Sequence, residues 1–358
     1  MTDLLRRYGA IMTTYIVVAS TIWILGMIVL PQVFMIDTSL WHEDVMRRYR
    51  IDIQIEALYV DLQKLDSNIR RIERTEAEAS EAEKAILTLG RAELEGQRNE
   101  IETEIASLEV EFEKRERIYG LDNYAYFLFG EGVQRIVFMK TIWASLLVTI
   151  VALVVCYPLA YYLAQVAPGE RAALLVLGLV IPYWINEILR TFAWLMILSY
   201  KGIANTFLEG IGLITEPIDF LENSSGVLLG MVYAYILFMI LPMYNTIDTL
   251  DKNQIEAARD LGSPWWRIHW RIVIPHAKPG IAVGCIMTFM LAAGSFVVPR
   301  ILGGTRSLWF TQIIYNWFFE GHNWNVGSAY AFLLLVLCVV FILVMMRLFR
   351  VNLEDIAK

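Results

Sequence analysis

Six long apolar stretches constrain this chain more than any other feature of its sequence. They lie at about residues 10–35, 140–163, 172–198, 226–247, 280–300 and 327–349. An α-helix needs about 20 mostly apolar residues to cross the roughly 30 Å hydrocarbon core of a bilayer. Hydrophobic residues make up 57% of the 358 residues, which is too many for an ordinary soluble domain of this length. The sequence therefore predicts an all-α integral membrane protein with six transmembrane helices.

The distribution of lysine and arginine predicts the orientation of these helices. The first apolar stretch lacks a small-residue cleavage site, so we expect it to stay attached as a span. With the N-terminus in the cytoplasm, the short outer loops carry only Lys201, Arg300 and Arg306. Both termini are therefore expected in the cytoplasm. The basic residues on the cytoplasmic side are then Arg6, Arg7, Arg171, Lys252, Arg259, Arg267, Arg271, Lys278, Arg347, Arg350 and Lys358.

A polar block separates the first predicted span from the second. Apolar residues recur in it with alternating spacings of four and three, and the phase shifts between its two halves. This spacing is typical of a coiled coil, and the chain must return to the membrane, so we predict an extracytoplasmic antiparallel coiled-coil hairpin that turns within residues 73–90. With about 35 residues in each arm, it would be about 50 Å long. The seam residues are Ile51, Ile55, Leu58, Leu62, Leu65, Ile69 and Ile72, then Leu87, Leu94, Ile101, Ile105, Leu108 and Phe112.

The hairpin divides the chain into three predicted parts. Residues 1–36 form the N-terminal tail and first span, residues 37–120 form the hairpin, and residues 121–358 form a core with five further spans. Heptads identify a seam that packs on itself and do not identify a second ligand. The hairpin is therefore either a spacing insertion or a docking surface for an external partner.

The segment 248–278, between the fourth and fifth spans, has strong helix punctuation. Asp251 or Asn253 can cap a short helix, and Gly262 can end it in a left-handed conformation. Ser263 can cap a second helix, with Pro264 at its first position, where the missing N–H costs nothing. The sequence predicts a helix, a sharp turn and a second helix.

The second of these helices is expected to end at Pro275, because proline cannot continue the hydrogen-bond pattern. In the first helix, Ala257 and Ala258 leave room for another backbone beside the acidic Glu256. A second protein could grip such a segment. It could equally be an amphipathic helix that lies on the inner membrane surface with its tryptophans at the headgroups.

The same segment resembles the EAA motif of ABC importer permeases. EAARDLG, nine further residues and then IVIP match the pattern E-A-A-x3-G-x9-I-x-L-P, and only Ile274 departs, where leucine is usual. The flanking stretches ILRTFAWLMILSYKGIANTFLEGIGL and PGIAVGCIMTFMLAAGSFVVPRILGG, with NWNVGSAYAF, are similar to permeases of the spermidine/putrescine type. The resemblance implies a permease subunit of an ATP-driven importer in the bacterial inner membrane, expected to pair with a second permease subunit.

The resemblance also implies roles for the matched residues. The first helix would be a coupling helix in a groove of a cytoplasmic ATPase, and the end of the motif would carry its motion into the fifth span. The implied partners are an ABC ATPase dimer, a second permease subunit in a heterodimer, a periplasmic solute-binding protein and the lipid bilayer. The implied coupling residues are Glu256, Ala257, Ala258, Gly262, Ile272 and Pro275.

No motif for chemistry occurs in the chain. It lacks GxxxxGK[ST], HExxH and GxSxG. Cys156, Cys285 and Cys338 lie far apart in apolar runs and suggest neither a disulfide nor a metal site. We expect no catalytic residue, no bound cofactor and no nucleic-acid partner, and we expect ATP and Mg²⁺ to be used by the partner ATPase.

Polar residues in the third predicted span are candidates for the substrate path, because charge within a bilayer is costly. The candidates are Tyr183, Trp184, Asn186, Glu187 and Arg190. Glu187 with the two aromatic rings could contact a cationic solute. Alternatively, Glu187 and Arg190, three residues apart on one helix face, could neutralise each other.

The family resemblance makes a polyamine the expected solute, although an opine, an amino-acid-like compound or a ferric ion would also be compatible. A different class of function is an envelope-spanning scaffold or adaptor that acts through the hairpin. One span would suffice for an adaptor, so six spans with an EAA-type motif favour the importer. An ion-gradient transporter would need coupling-ion carboxylates in several spans, whereas Glu187 is the only clear one in mid-span.

Overall fold

The computed structural model describes residues 2–43, 45–78, 81–113, 117–130, 132–167, 169–221, 224–304 and 307–351. Arg306 and Lys358, which entered the predicted orientation, lie outside these residues, as do the side chains of Arg6 and Arg7. The described chain is mainly helical and divides into two compact units. One unit comprises Met1–Ser39 with Asn123–Lys358, and the other comprises Leu40–Asp122.

The secondary structure elements follow one another along the chain with short π-helical or 3₁₀ stretches between some of them. In order they are α1 (Thr2–Trp23), α2 (Leu30–Ser39), β1 (Trp41–Glu43), α3 (Val45–Glu78), α4 (Glu81–Glu113), β2 (Arg117–Tyr119), α5 (Asp122–Phe129), α6 (Val133–Tyr161), α7 (Gly169–Val180), α8 (Glu187–Leu198), α9 (Ile203–Gly210), α10 (Ser225–Asp248), α11 (Lys252–Asp260), α12 (Trp265–Ile268), α13 (Ile274–Ala293), α14 (Val297–Leu302), α15 (Phe310–Phe319) and α16 (Trp324–Phe349).

Five helical segments of the larger unit are long and apolar enough to cross a membrane, and a bent pair brings the number to as many as six. The five are Gly9–Ser39, Val133–Val166, Ser225–Asp248, Trp265–Ala293 and Trp324–Phe349. This agrees with the predicted class of helical membrane protein.

The third predicted span, 172–198, is not one continuous helix. Its two parts, Gly169–Trp184 and Glu187–Gly210, are bent by 97°. A 3₁₀ turn that contains Pro182 precedes the break, and Ile185 then adopts an extended conformation with ψ of 135°. The prediction of a single helix was wrong because hydropathy reports length and composition and does not register a break of two residues.

The fifth span is also displaced from its predicted position, 280–300. It begins at Trp265 and ends at Ala293, and α14 is a separate short helix. The prediction that a helix ends at Pro275 was wrong. A π-helical stretch leads directly into α13 and places Pro275 in the first turn of that helix. In a first turn the missing N–H of proline costs little.

α10 and α13 pack closely through two glycines four residues apart. A Cβ atom on Gly280 would lie 2.4 Å from both the Pro242 carbonyl oxygen and the Thr246 Oγ1, and one on Gly284 would lie 2.9 Å from the Met239 carbonyl oxygen. Small residues at this spacing allow helix backbones to approach within a membrane. The two helices that flank the 248–278 segment are therefore firmly packed against each other.

The smaller unit consists of α3 and α4 with a short antiparallel β1–β2 pair. Arg47 Nη2 lies 2.7 Å from Glu111 Oε1, and Arg91 Nη2 lies 2.9 Å from Glu73 Oε1, so α3 and α4 run antiparallel. Residues 79–80, which belong to the predicted turn region, lie outside the described residues. Among the described side chains of this pair, the buried hydrophobic ones are Ile51, Ile69 and Ile105, all from the predicted seam.

Two arginines of α4 were not included in the predicted seam although they fall on its spacing. Arg91 and Arg98 continue the four-three pattern between the apolar residues of α4. Arg98 pairs with Asp66 at 3.2 Å and with Glu102 at 2.9 Å. A charged residue at such a position can fix the register of paired helices.

Candidate functional site

The 248–278 segment begins with a capped helix. The Asp251 Oδ1 accepts a hydrogen bond of 3.0 Å from the Asn253 backbone N–H, which makes Asp251 the N-cap of α11. This confirms one of the two predicted caps. A cap of this kind stabilises a helix by about 1 kcal/mol, which matters for a helix of only nine residues.

Gly262 ends α11 in the predicted left-handed conformation, with φ of +72°. The Gly262 N–H donates to the Arg259 carbonyl at 2.8 Å, and the Ser263 N–H donates to the Ala258 carbonyl at 3.0 Å. These two hydrogen bonds form a Schellman motif. The turn after α11 is therefore fixed by backbone geometry that favours glycine.

The second helix begins one residue later than predicted. Pro264 is the N-cap of α12 and makes no side-chain cap hydrogen bond, so the expectation that Ser263 caps this helix was wrong. The Ser263 N–H serves the preceding turn instead. Pro264 has an extended conformation, with ψ of 151°, and α12 starts after it.

The segment is anchored on one side and exposed on the other. Ile255 and Ile268 are 5% and 4% exposed and belong to one hydrophobic cluster with residues of α6, α10 and α13. Glu256 and Ala257 are exposed, and Leu261 is 86% exposed beside the turn. A rigid backbone thus presents a mixed acidic and apolar surface.

The remaining motif residues connect this surface to the fifth span. Ala258 and Ile272 are partly buried against the same hydrophobic cluster. Pro275 lies in the first turn of α13, with its side chain exposed. The helical segment Trp265–Ala293 begins three residues after Gly262, so only a short stretch of chain separates the turn from the fifth span.

The candidate residues of the third span lie at its break. The Tyr183 hydroxyl donates to the Tyr233 carbonyl and accepts from the Leu237 backbone N–H, both at 3.0 Å, and this ties the broken span to α10. Trp184 is 80% exposed. Asn186 is the N-cap of α8, since its Oδ1 accepts from the Ile188 N–H at 2.8 Å.

Glu187 and Arg190 point to different partners. Within the described part of the chain, no ion pair of 4.0 Å or less joins them, so the alternative in which they neutralise each other is not realised. The Arg190 guanidinium lies 4.5 Å from the centroid of the Tyr183 ring and 6.0 Å from that of Tyr233. Its Nη1 is buried and has no hydrogen-bond partner among the described residues.

Among the described residues, the only hydrogen-bond partner of the Glu187 carboxylate is the Tyr235 hydroxyl. That hydroxyl lies 3.5 Å from Glu187 Oε1 and 2.8 Å from Ser295 Oγ, and its one proton can be donated to only one of them at a time. Glu187 is also the first residue of α8, where the helix dipole favours a negative charge. This half-buried carboxylate keeps most of its capacity to accept hydrogen bonds from a cation.

Sequence reasoning missed three residues of this site: Tyr233, Tyr235 and Ser295. They come from α10 and from the turn after α13, far from Glu187 in sequence. Two tyrosines within the apolar run of α10 were the available signal, because a buried tyrosine hydroxyl usually has a hydrogen-bond partner. The partner itself could not be read from local spacing.

Known inner-membrane components of transport systems are similar to this chain. Residues 157–354 match the family described as binding-protein-dependent transport system inner membrane component. The spermidine/putrescine transport system permease protein PotB of Haemophilus influenzae is 36% identical over 214 residues, which cover 59% of this chain and 74% of that protein. PotB of Escherichia coli K12 is 35% identical over 233 residues, which cover 65% of this chain and 84% of that protein.

A solved structure shares the fold. A chain of a bacterial ABC transporter involved in the import of the acidic polysaccharide alginate aligns with a TM-score of 0.52 and 19% identity. The alignment covers 65% of this chain and 84% of that chain. At this level of identity the likeness concerns the fold alone.

Proposed function

Because the chain belongs to the family of binding-protein-dependent transport system inner membrane components, we propose that it is a permease subunit of an ATP-driven importer for polyamines. The observation that carries the proposal is the similarity to spermidine/putrescine permeases, 35–36% identical over 74–84% of their length. The chain is a transport subunit and not an enzyme, and a partner ATPase hydrolyses ATP with Mg²⁺.

The 248–278 segment is proposed to couple ATP use to transport. Glu256, Ala257 and Leu261 form the exposed face that docks into a groove of the ATPase, and the glycine turn at Gly262 fixes its angle. Burial of Ile255 beneath this face supports the assignment, because a rigid attachment transmits force that a loose loop would absorb. Ile272 and Pro275 then carry the movement into the fifth span.

The break in the third span is proposed to line the solute path. Broken helices in membrane proteins place polar groups where they line a cavity. Glu187 would attract an ammonium group, and the rings of Tyr183 and Trp184 would contact it through their faces. Arg190 is held on the Tyr183 ring, which leaves the carboxylate of Glu187 available. Asn186 acts there through the cap that positions Glu187.

The proposed function also implies a membrane location, an orientation and a partner subunit for the chain. The chain lies in the bacterial inner membrane with both termini in the cytoplasm, and it pairs with a second permease subunit, expected to differ from it. Residues 1–36 hold the first span and residues 121–358 hold the other five. The hairpin of residues 37–120 is extracytoplasmic, packs as an antiparallel coiled coil, and lies on the side from which a periplasmic binding protein delivers the solute.

Uptake measurements test the proposed function. Cells that lack this chain are complemented with it, and the uptake of radiolabelled spermidine and putrescine is followed with and without depletion of ATP. We expect saturable, ATP-dependent uptake that returns only with the chain. Because the pathway is proposed to bind cations, excess glutamate should not compete. If both polyamines enter equally well without the chain, the proposed substrate is wrong.

A further inference from the structure

His269 joins the 248–278 segment to the second span. Its Nδ1 lies 2.8 Å from the Tyr157 hydroxyl, and either atom can be the donor. The centroid of its ring is 4.5 Å from that of Tyr161 and 6.0 Å from that of Trp265. The imidazole is therefore wedged between α12 and the end of α6, which belong to different spans.

The second span holds the other end of the segment as well. Gln165 Nε2 donates to the Ile247 carbonyl at 2.7 Å and to the Leu250 carbonyl at 3.2 Å, immediately before α11. Hydrogen bonds from one short stretch, Tyr157 to Gln165, thus reach the chain on both sides of the helix that is proposed to contact the ATPase.

π-Helical geometry occurs at both sides of this junction. Tyr162–Val166 continues α6, and His269–Val273 continues α12, as π-helical stretches. Such stretches are rare and are frequently found at functional sites. The two irregular turns therefore lie where the second and fifth spans meet the segment.

We propose that Tyr157 and His269 are positioning residues that transmit movement of the 248–278 segment to the second span, beside its direct helical connection to the fifth span. The inference rests on the proposed function. While the hydrogen bond between the Tyr157 hydroxyl and the His269 imidazole is intact, it holds the second span to the segment, so the second and fifth spans follow the ATPase together. Without the bond, the fifth span would still move and the second would follow less closely.

The test uses the complete importer in proteoliposomes, with its ATPase, second permease subunit and binding protein. Spermidine taken up and phosphate released are measured together. Tyr157→Phe removes the hydroxyl and keeps the ring, and we expect about a two- to tenfold fall in spermidine transported per ATP, the effect of losing one ordinary hydrogen bond on a conformational equilibrium. Phosphate release stimulated by the binding protein should persist.

Matched variants separate coupling from stability. His269→Phe should reproduce the Tyr157→Phe defect, the two together should cause no further fall, and His269→Asn should restore part of the ratio by retaining a polar atom near the position of Nδ1. Tyr162→Phe is the control, because Tyr162 is 43% exposed and its hydroxyl has no partner among the described residues. A merely structural role would lower transport and phosphate release in proportion.

A second measurement does not depend on the solute. Nitroxide labels at Val154→Cys and Leu343→Cys, on exposed positions of the second and last spans, report the distance between those spans with and without ATP. We expect the ATP-dependent change in that distance to shrink in Tyr157→Phe. If Tyr157→Phe has the wild-type ratio of spermidine transported per ATP and the wild-type ATP-dependent change in distance, the inference is overturned. If the wild-type complex does not transport spermidine, the polyamine proposal fails, and the distance measurement still decides the role of Tyr157.

Discussion

Replacing Gly262 is a sharp test of its proposed coupling role, because a side chain at this position would change the backbone energy without a steric clash. Its φ is +72°, and a Cβ atom built there would meet no atom within 4 Å. The cost of a side chain is therefore the backbone cost of a left-handed residue, about 1–2 kcal/mol for alanine. This corresponds to about a five- to thirtyfold smaller population of the native turn. Asparagine, which tolerates this conformation, should cost less, and β-branched valine should cost more.

The assay is the amount of solute transported per ATP hydrolysed by the reconstituted complex. We expect the ratio to fall in the order Gly262→Asn, Gly262→Ala, Gly262→Val, since the turn that orients the exposed face of α11 is progressively lost. Gly212 provides a matched control: its φ is +73° and its Cβ position is also open. The same substitutions at Gly212 should cost similar stability and leave the ratio intact. A valine variant at Gly262 with wild-type uptake would refute the coupling assignment.

Three further predictions follow from the packing, the broken span and the hairpin. Gly280→Ala should destabilise the protein by about 1–3 kcal/mol through overpacking, whereas Gly178→Ala, with an open Cβ position, should be neutral or stabilising by up to about 1 kcal/mol. A thiol-reactive dye that labels the three buried cysteines on melting measures the stability of both variants. A higher melting temperature for Gly280→Ala than for the wild type would contradict the packing argument. Glu187→Gln should raise the KM for spermidine about tenfold, as expected for loss of a charged hydrogen bond. The control Glu209→Gln, on an exposed face, should leave the KM unchanged. A wild-type KM in Glu187→Gln would exclude Glu187 from the solute path. Removing one heptad from each arm of the 40–122 unit should leave uptake at saturating binding protein unchanged, because the family match covers residues 157–354; lost uptake under those conditions would show that the hairpin belongs to the transport machinery.

Local features of the sequence were sufficient for the start and the end of α11, the helix that is proposed to contact the ATPase. Asp251 and Gly262 act on their own and adjacent turns, so their residue types predicted the cap and the left-handed turn that the structure has. Apolar length likewise predicted the membrane helices, because crossing a bilayer requires it. Pro275 misled the prediction, since the preceding π-helical stretch allows the helix to continue through it.

The solute-path candidates depended on contacts that local patterns do not encode. Spacing placed Glu187 and Arg190 on one helix face and suggested that they pair. Arg190 instead extends back to Tyr183 across the break, and Glu187 faces Tyr235 of another helix. Both outcomes are set by tertiary structure. The break in the third span brings Tyr183 to Arg190, and the packing of α8 against α10 brings Tyr235 to Glu187.

We propose that this chain is the permease subunit of an importer whose ATPase is a separate protein. Purification of the tagged chain from its native membrane, with identification of everything that accompanies it, tests this most directly. We predict recovery of an ABC ATPase and a second multi-span permease subunit. Recovery of neither protein, with an envelope protein bound to the 40–122 unit instead, would exclude the importer and favour an adaptor.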